Sequence, residues 1–254
     1  MLQPHIKCST GDVAEIVLLP GDPARAKKIA AYFDNPREVA FNREFLTITG
    51  TYHGVPISVT STGIGGASAS IAVEELANIG AKTFIRVGTC GALRKGIDVG
   101  DIIIPYAATR SEGTTREYLP VEFPAVVNFE VFSKLVEAAK KEKARYHTGV
   151  NRSHDAFYEN ISNMLKWAEI YKDPRFKPEN MPLISSEMEA GPVFITAMVR
   201  GLRAGALMVV NTVEPLDEIA KNPDLIYQLD EAKDTTDNVD TAIKIALEAA
   251  VSLI

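Results

Sequence analysis

Short apolar and β-branched runs alternate with helical patterns through most of the chain. Ile16–Leu19, Ile57–Thr60, Thr83–Val87, Ile102–Pro105 and Leu207–Val213 read as strands. Between them, apolar residues recur at helical spacing. Ala72, Leu76 and Ile79 form one stripe, Phe129, Phe132, Val136 and Ala139 a second, and Val239, Ile243, Ala246, Ala250 and Leu253 a third. Each stripe is most simply core packing. Strands that are apolar throughout and separated by helices predict an α/β fold, with a mixed or mostly parallel sheet covered on both faces. Ligand loops then lie at the carboxyl ends of the strands. One domain over residues 1–254 is the simplest division, with no repeat, low-complexity tract or linker to break it. The least regular stretch, 160–186 with its three prolines, reads as a lid or insertion beside the site.

Composition narrows the function. With 254 residues, 46 % of them hydrophobic, the chain can bury a substantial core. A net charge of -6 gives no general attraction to nucleic acid or an acidic membrane, so an anionic substrate needs a local basic pocket. Two cysteines, Cys8 and Cys90, can build neither a disulfide framework nor a four-cysteine zinc site, which points to a reducing cytoplasm. Residues 1–11 lack an apolar h-region, and no run of about 18 apolar residues follows, so neither secretion nor membrane spanning is expected. The four histidines show no HExxH spacing and no serine sits in a GxSxG elbow, which leaves zinc hydrolysis and a hydrolase triad poorly supported.

Three loops have the character of anion sites. After the first strand, Pro20-Gly21-Asp22-Pro23-Ala24-Arg25 offers a glycine turn, an N-cap aspartate and a proline at the first helical position. Backbone N–H groups there favour negative charge, and Arg25 can fork onto phosphate oxygens. A capped helix with a surface arginine is the plainer alternative. The second loop, Ser61-Thr62-Gly63-Ile64-Gly65-Gly66, has Ser68 where a dinucleotide fingerprint needs its third glycine, which disfavours a nicotinamide cofactor. The third, Arg86-Val87-Gly88-Thr89-Cys90-Gly91, sets an arginine in a strand that should be buried. Such a guanidinium needs either a bound anion or a structural carboxylate.

Together these segments resemble the nucleoside phosphorylase family, which includes uridine phosphorylases and hexameric purine nucleoside phosphorylases. The likeness runs through Pro20-Gly21-Asp22-Pro23 with Arg25, Asn42-Arg43-Glu44-Phe45, Ser61 to Leu93, Glu122 to Val126, Asp155 to Tyr158, and Ser186 to Ala190. Thr62 to Gly66 and the Phe-Pro-Ala-Val segment are most similar to the uridine branch, whereas Gly-Thr-Cys-Gly at 88–91 resembles the purine branch.

The resemblance implies a three-layer α/β/α fold and phosphorolysis of a ribonucleoside, uridine first and a purine nucleoside as the alternative, giving ribose 1-phosphate. An inactive nucleoside-binding protein is the reading from another class. Inorganic phosphate is implied as co-substrate, with no cofactor. Gly21, Arg25, Arg86 and Thr89 are implied for phosphate, joined by Arg43 from a neighbouring subunit. For ribose the resemblance implies His5, Thr89, Glu187, Met188 and Glu189, with Arg86, Glu189 and Arg25 as the catalytic set. Phe157 matches the aromatic that stacks on the base. Glu44, Ile64 and Ser68 match positions that in some members hold a monovalent cation, potassium, between paired subunits. The implied assembly is a homohexamer, a trimer of dimers with inter-subunit active sites.

Two departures concern the base. The glutamine and arginine that read uracil in well-known members are missing from Glu159-Asn160-Ile161-Ser162-Asn163-Met164, which leaves Asn160, Asn163, Arg175 and Lys177 as candidate substitutes. The aspartate of the purine branch is also missing from Val210-Asn211-Thr212-Val213-Glu214. A changed reader can mean a changed base preference.

Overall fold

The computed structural model describes residues 1–158, 160–228 and 235–254. The first half of the chain gives β1 (Ile16–Leu19), α1 (Pro23–Ala30), β2 (Asp34–Asn42), β3 (Phe45–Tyr52), β4 (Val55–Thr60), α2 (Gly66–Asn78), β5 (Thr83–Ala92), β6 (Ile102–Ser111), α3 (Thr114–Tyr118) and β7 (Ala125–Val126). The second half gives α4 (Phe129–Lys141), β8 (Tyr146–His154), α5 (Asn160–Glu169), β9 (Leu183–Glu187), α6 (Ala190–Val199), β10 (Arg203–Val213), α7 (Leu216–Lys221) and α8 (Thr236–Val251).

Strand alternation divides the core into layers. In β1, Ile16 and Leu18 turn toward a cluster formed with α1, α4 and α8, while Val17 and Leu19 turn toward one formed with α2 and α6. Helices therefore cover both faces of the sheet, a three-layer α/β/α arrangement. A smaller cluster packs Met164 and Ala168 of α5 and Leu216 and Ile219 of α7 against Leu183 of β9 and Leu93. Helix starts follow local chemistry: Asp22 caps α1 by accepting from the Ala24 N–H at 2.8 Å, with Pro23 in the first turn.

One ten-stranded sheet runs in the order β10-β6-β8-β9-β5-β1-β4-β3-β2, with β7 on β6. Parallel pairs such as β1–β5 and β8–β9 mix with antiparallel ones such as β5–β9 and β6–β10. Strand β10 also pairs with β5, so β5, β10, β6, β8 and β9 close into a ring. Strand β5 belongs to both parts. Its start pairs with β1 through Ile16–Leu19 against Thr83–Arg86, and its end pairs with β9 through Gly91 to Ser186 and Ala92 to Ser185.

All five strands expected from apolar runs are present, most of them longer than the runs. Five further strands are present, and two of them are poor in apolar signal for identifiable reasons. Strand β2 is largely exposed, and β8 ends in four buried polar residues, Asn151 to His154. Residues Leu183–Glu187, the end of the stretch read as a lid or insertion, form a fully buried strand, while 160–182 carry α5 and short 3₁₀ turns. No described helix is long and apolar enough to cross a membrane.

Candidate active site

The site is organised around Arg86. This residue sits in β5 beneath the sheet surface, 4 % exposed, and its guanidinium lies against Gly88. A Cβ at Gly88 would fall 2.7 Å from Arg86 Nη2, so the glycine makes the room. Arg86 Nε donates to Glu187 Oε2 at 2.8 Å, and Nη2 pairs with Glu189 Oε2 at 2.5 Å. Of the two partners that sequence allowed for a buried arginine, the chain itself supplies the carboxylate.

Glu187 and Glu189 occupy the junction between β9 and α6. Glu187 Oε1 accepts from Asn151 Nδ2 at 2.6 Å and Ser153 Oγ at 2.7 Å. Its Oε2 also accepts the N–H groups of Glu189 and Ala190 at 2.8 and 2.9 Å, which helps to cap α6. Glu187 is therefore held on every side by protein donors. Glu189 has fewer: besides Arg86, among the described residues it accepts only the Gly65 N–H, at 2.5 Å. Burial raises the Glu189 pKa against the opposing pull of Arg86, with Glu187 adding to the rise. For Arg86, burial works to lower the pKa, but Glu189 and Glu187 outweigh it and the net direction is up.

Arg25 approaches the same place from α1. Its Nη1 lies 3.5 Å from the Val87 carbonyl, and its pKa is lowered by burial and by the neighbouring charge of Arg86. Two guanidiniums close enough to repel one another favour an anion beside them. The glycine loops are tied together there, with the Gly63 N–H on the Gly21 carbonyl and the Thr62 N–H on Pro20, both at 2.9 Å. Gly63 has φ 70°, and a Cβ on it would meet Glu44 Cγ at 2.7 Å. Gly21, Arg25, Arg86, Glu189 and Gly65 are thus brought into one neighbourhood by these contacts. Thr89 and Met188, on the adjoining strand ends, are half-buried.

Other sequence candidates, Arg43 excepted, make contacts of their own. Arg43 is exposed at the β2–β3 turn with φ 55° and has no hydrogen bond or ion pair with any described residue. His5 turns to α2, where its Nδ1 lies 2.5 Å from Glu75 Oε1. Asn42 Nδ2 donates to the His5 carbonyl at 2.6 Å, so the N-terminal segment and the β2–β3 turn form one surface. Phe157 is 67 % exposed and meets Tyr158 edge to face at 5.3 Å. Ser68 Oγ donates to the carbonyls of Ile64 and Gly65 at 3.1 and 3.2 Å, close to Glu44 on Gly63. Among the described residues no cluster of three or more His, Cys, Asp or Glu could hold a metal ion. Arg175 is bound by Asp173 on the surface, and Glu159 lies outside the described residues.

Sequence reasoning missed a second group of buried polar residues at the end of β8. Arg152 is 1 % exposed, with Nη1 3.2 Å from Ser186 Oγ. Burial lowers its pKa to about 10 against the pull of Glu214. Glu214, just past β10, has its pKa raised by burial, with Arg152 opposing. His154 is lowered to about 4 by burial and then by Arg152. The available signal was the unbroken polar run Asn151-Arg152-Ser153-His154, between a valine and the Asp155 to Tyr158 segment.

Fold and site together define a nucleoside phosphorylase-like class. Purine nucleoside phosphorylase from Toxoplasma gondii in complex with immucillin-H superposes with a TM-score of 0.83 at 31 % identity, over 99 % of this chain and 96 % of that one. Uridine phosphorylase from Vibrio fischeri gives 0.82 at 29 % identity, over 98 % and 97 %. The chain belongs to the phosphorylase superfamily, whose family model matches residues 15–252. It is 46 % identical to the uridine phosphorylase of Thermococcus kodakarensis over 87 % of this chain and 80 % of that protein. It is 41 % identical to the guanosine phosphorylase of Halorubrum lacusprofundi over 99 % of both.

Proposed function

We propose that this protein is a uridine phosphorylase, splitting uridine reversibly with inorganic phosphate into uracil and ribose 1-phosphate. The observation that carries the reading is the convergence of Arg25 and Arg86 beside Glu189, next to the tied Gly21 and Gly65 loops. Relatives named uridine phosphorylase, at 46 % identity in Thermococcus kodakarensis and 36 % in Escherichia coli, support it.

In this reading the phosphate dianion is held by the Gly21 main chain, Arg25, Arg86 and Thr89, whose charges and donors offset its desolvation. One phosphate oxygen attacks C1′ as the C1′–N bond breaks, and that bond's electron pair leaves with the base. No covalent enzyme intermediate forms. Positive charge grows on the sugar ring directly above the bound anion, which is both nucleophile and electrostatic stabiliser. Glu189 accepts from ribose hydroxyls, Met188 packs on the sugar, and Glu187 holds Arg86 and the start of α6 in place. Phe157 stacks on the base.

Arg43 and His5 complete a neighbouring subunit's site, in a homohexamer built as three dimers. Their shared surface, joined by Asn42, favours this. Glu44 with the oxygens around Ile64 and Ser68 suits a potassium ion at the dimer interface. The compartment is the cytoplasm.

A purine reading is favoured by one observation, the 41 % identity to a guanosine phosphorylase across 99 % of both chains. The deciding experiment incubates the protein with uridine, inosine and guanosine, with and without phosphate, and measures ribose 1-phosphate. Phosphate-dependent product from uridine, in excess over the purines, is expected. Preference for a purine nucleoside would transfer the assignment, and base release without phosphate, or tight binding with no product, would overturn phosphorolysis.

A further inference from the structure

We infer that Arg152 and Glu214 together read the base, selecting rings that present an N–H beside a carbonyl. This rests on the nucleoside reading above but concerns residues outside the phosphate and ribose groups.

Position is the first argument. Arg152 is in register with Ser186, the residue before Glu187, and reaches its hydroxyl. Ser186 is in turn in register with Gly91, two residues beyond Thr89. A Cβ on Gly91 would lie 3.7 Å from Glu214 Oε2, so the carboxylate stands over that strand end. Phe157 follows Arg152 by five residues, in the loop that leaves β8. The two charged groups therefore meet at the paired Ser186–Gly91 strand ends, one residue from Glu187 and on the strand that leads into Phe157. Alternation along β8 separates the tasks: Asn151 and Ser153 turn to Glu187, and Arg152 turns to the opposite face.

Hydrogen-bond capacity is the second argument. The Glu214 carboxylate is half-buried and accepts no hydrogen bond from any described residue. A desolvated acceptor in that condition is costly until a donor arrives. Guanidinium only donates and carboxylate only accepts, so the pair complements an edge with one N–H and one C=O. Uracil offers N3–H with O4 or O2, and a 6-oxopurine offers N1–H with O6. Cytosine and adenine present the reverse, a ring nitrogen acceptor beside an amino donor. The pair carries no net charge, which suits a neutral ring, and Arg152 faces the carbonyl oxygen that gathers negative charge as the C1′–N bond breaks.

The test compares wild type with Glu214→Gln in two measurements. The first is kcat/KM for uridine, cytidine and N3-methyluridine, and the second is calorimetric binding of free uracil, N3-methyluracil, hypoxanthine and cytosine. Wild type should reject cytidine and N3-methyluridine by at least roughly 10³-fold, since each leaves a buried group unmatched. The variant should lose roughly 100-fold on uridine with KM for phosphate unchanged, and the gap between uridine and N3-methyluridine should narrow by a similar factor. Discrimination unchanged in the variant overturns the assignment. Should the variant not fold, equal binding of uracil and N3-methyluracil to wild type overturns it as well. Base binding that discriminates without any phosphorolysis would refute the proposed reaction and keep the reader. Phosphate-dependent turnover with discrimination unaltered by Glu214→Gln would do the reverse.

Discussion

Removing the Arg86 guanidinium by Arg86→Ala acts on two buried carboxylates unequally. Glu187 keeps its donors from Asn151, Ser153 and the N–H groups of Glu189 and Ala190, while among the described residues Glu189 keeps only the Gly65 N–H. Breaking a buried pair by deleting one partner costs about 3–5 kcal/mol, and with Glu187 still satisfied the lower end, about 3 kcal/mol, is expected. The cost should depend on pH through Glu189. Its folded pKa is already raised above 4.5 by burial against the pull of Arg86, and without Arg86 it rises further. The folded state then binds the proton more tightly than the unfolded chain, so the loss of stability is smallest at low pH and grows as pH rises through the folded value. Denaturant unfolding at pH 5 and pH 8 should show a larger gap from wild type at pH 8. Arg86→Ala/Glu189→Gln removes the stranded charge and should regain about 2 kcal/mol, while kcat/KM stays down by at least roughly 10³-fold. A double variant within about tenfold of wild-type activity, or a single variant equally destabilised at both pH values, would refute the reasoning.

Gly88→Ala places a methyl 2.7 Å from Arg86 Nη2 and should lower kcat/KM for phosphate by about 100-fold; steady-state kinetics that match wild type would show the guanidinium has room to spare. His154 has its folded pKa lowered to about 4 from 6.5, so its contribution to stability is present above pH 6.5 and is lost as pH falls from there toward 4. His154→Gln should flatten stability against pH in that window, and an unchanged slope would refute this. Phe157→Ala should raise the nucleoside KM roughly tenfold while leaving the thermal midpoint in place, because the ring is 67 % exposed; a shifted midpoint with unchanged KM would mark the ring as structural. Co-expressing Arg25→Ala with Arg43→Ala, each inactive alone, should restore about a quarter of wild-type activity if paired subunits share sites, and no recovery would deny that sharing.

How much could be read beforehand depended on whether a feature was local. The first anion loop was legible because Asp22, Pro23 and Gly21 act on their immediate neighbours, and β1, β5 and β10 because they are apolar on both faces. The end of β8 was not, since Asn151 and Ser153 find their acceptor 34 or more residues away on Glu187. Ring closure between β5 and β10 joins segments roughly 120 residues apart, beyond any periodicity argument. Arg86 was recognised as needing a counter-charge, but only the fold shows Glu187 and Glu189 on either side of it. Arg43 and His5 took their proposed roles from resemblance alone, and within a single chain His5 is held by Glu75 while Arg43 stays exposed.

Closure of the five-strand ring limits how this scaffold can diversify. With β5 clamped by β1 and β10 at one end and by β9 and β10 at the other, its backbone cannot slide under Arg86 without dragging Gly91 out of step with Ser186. New preferences must be written instead in single side chains, such as position 152, and in the segments that leave β8 and β10. Such a frame holds the Arg86 strand rigid and leaves variation to the segments outside the ring.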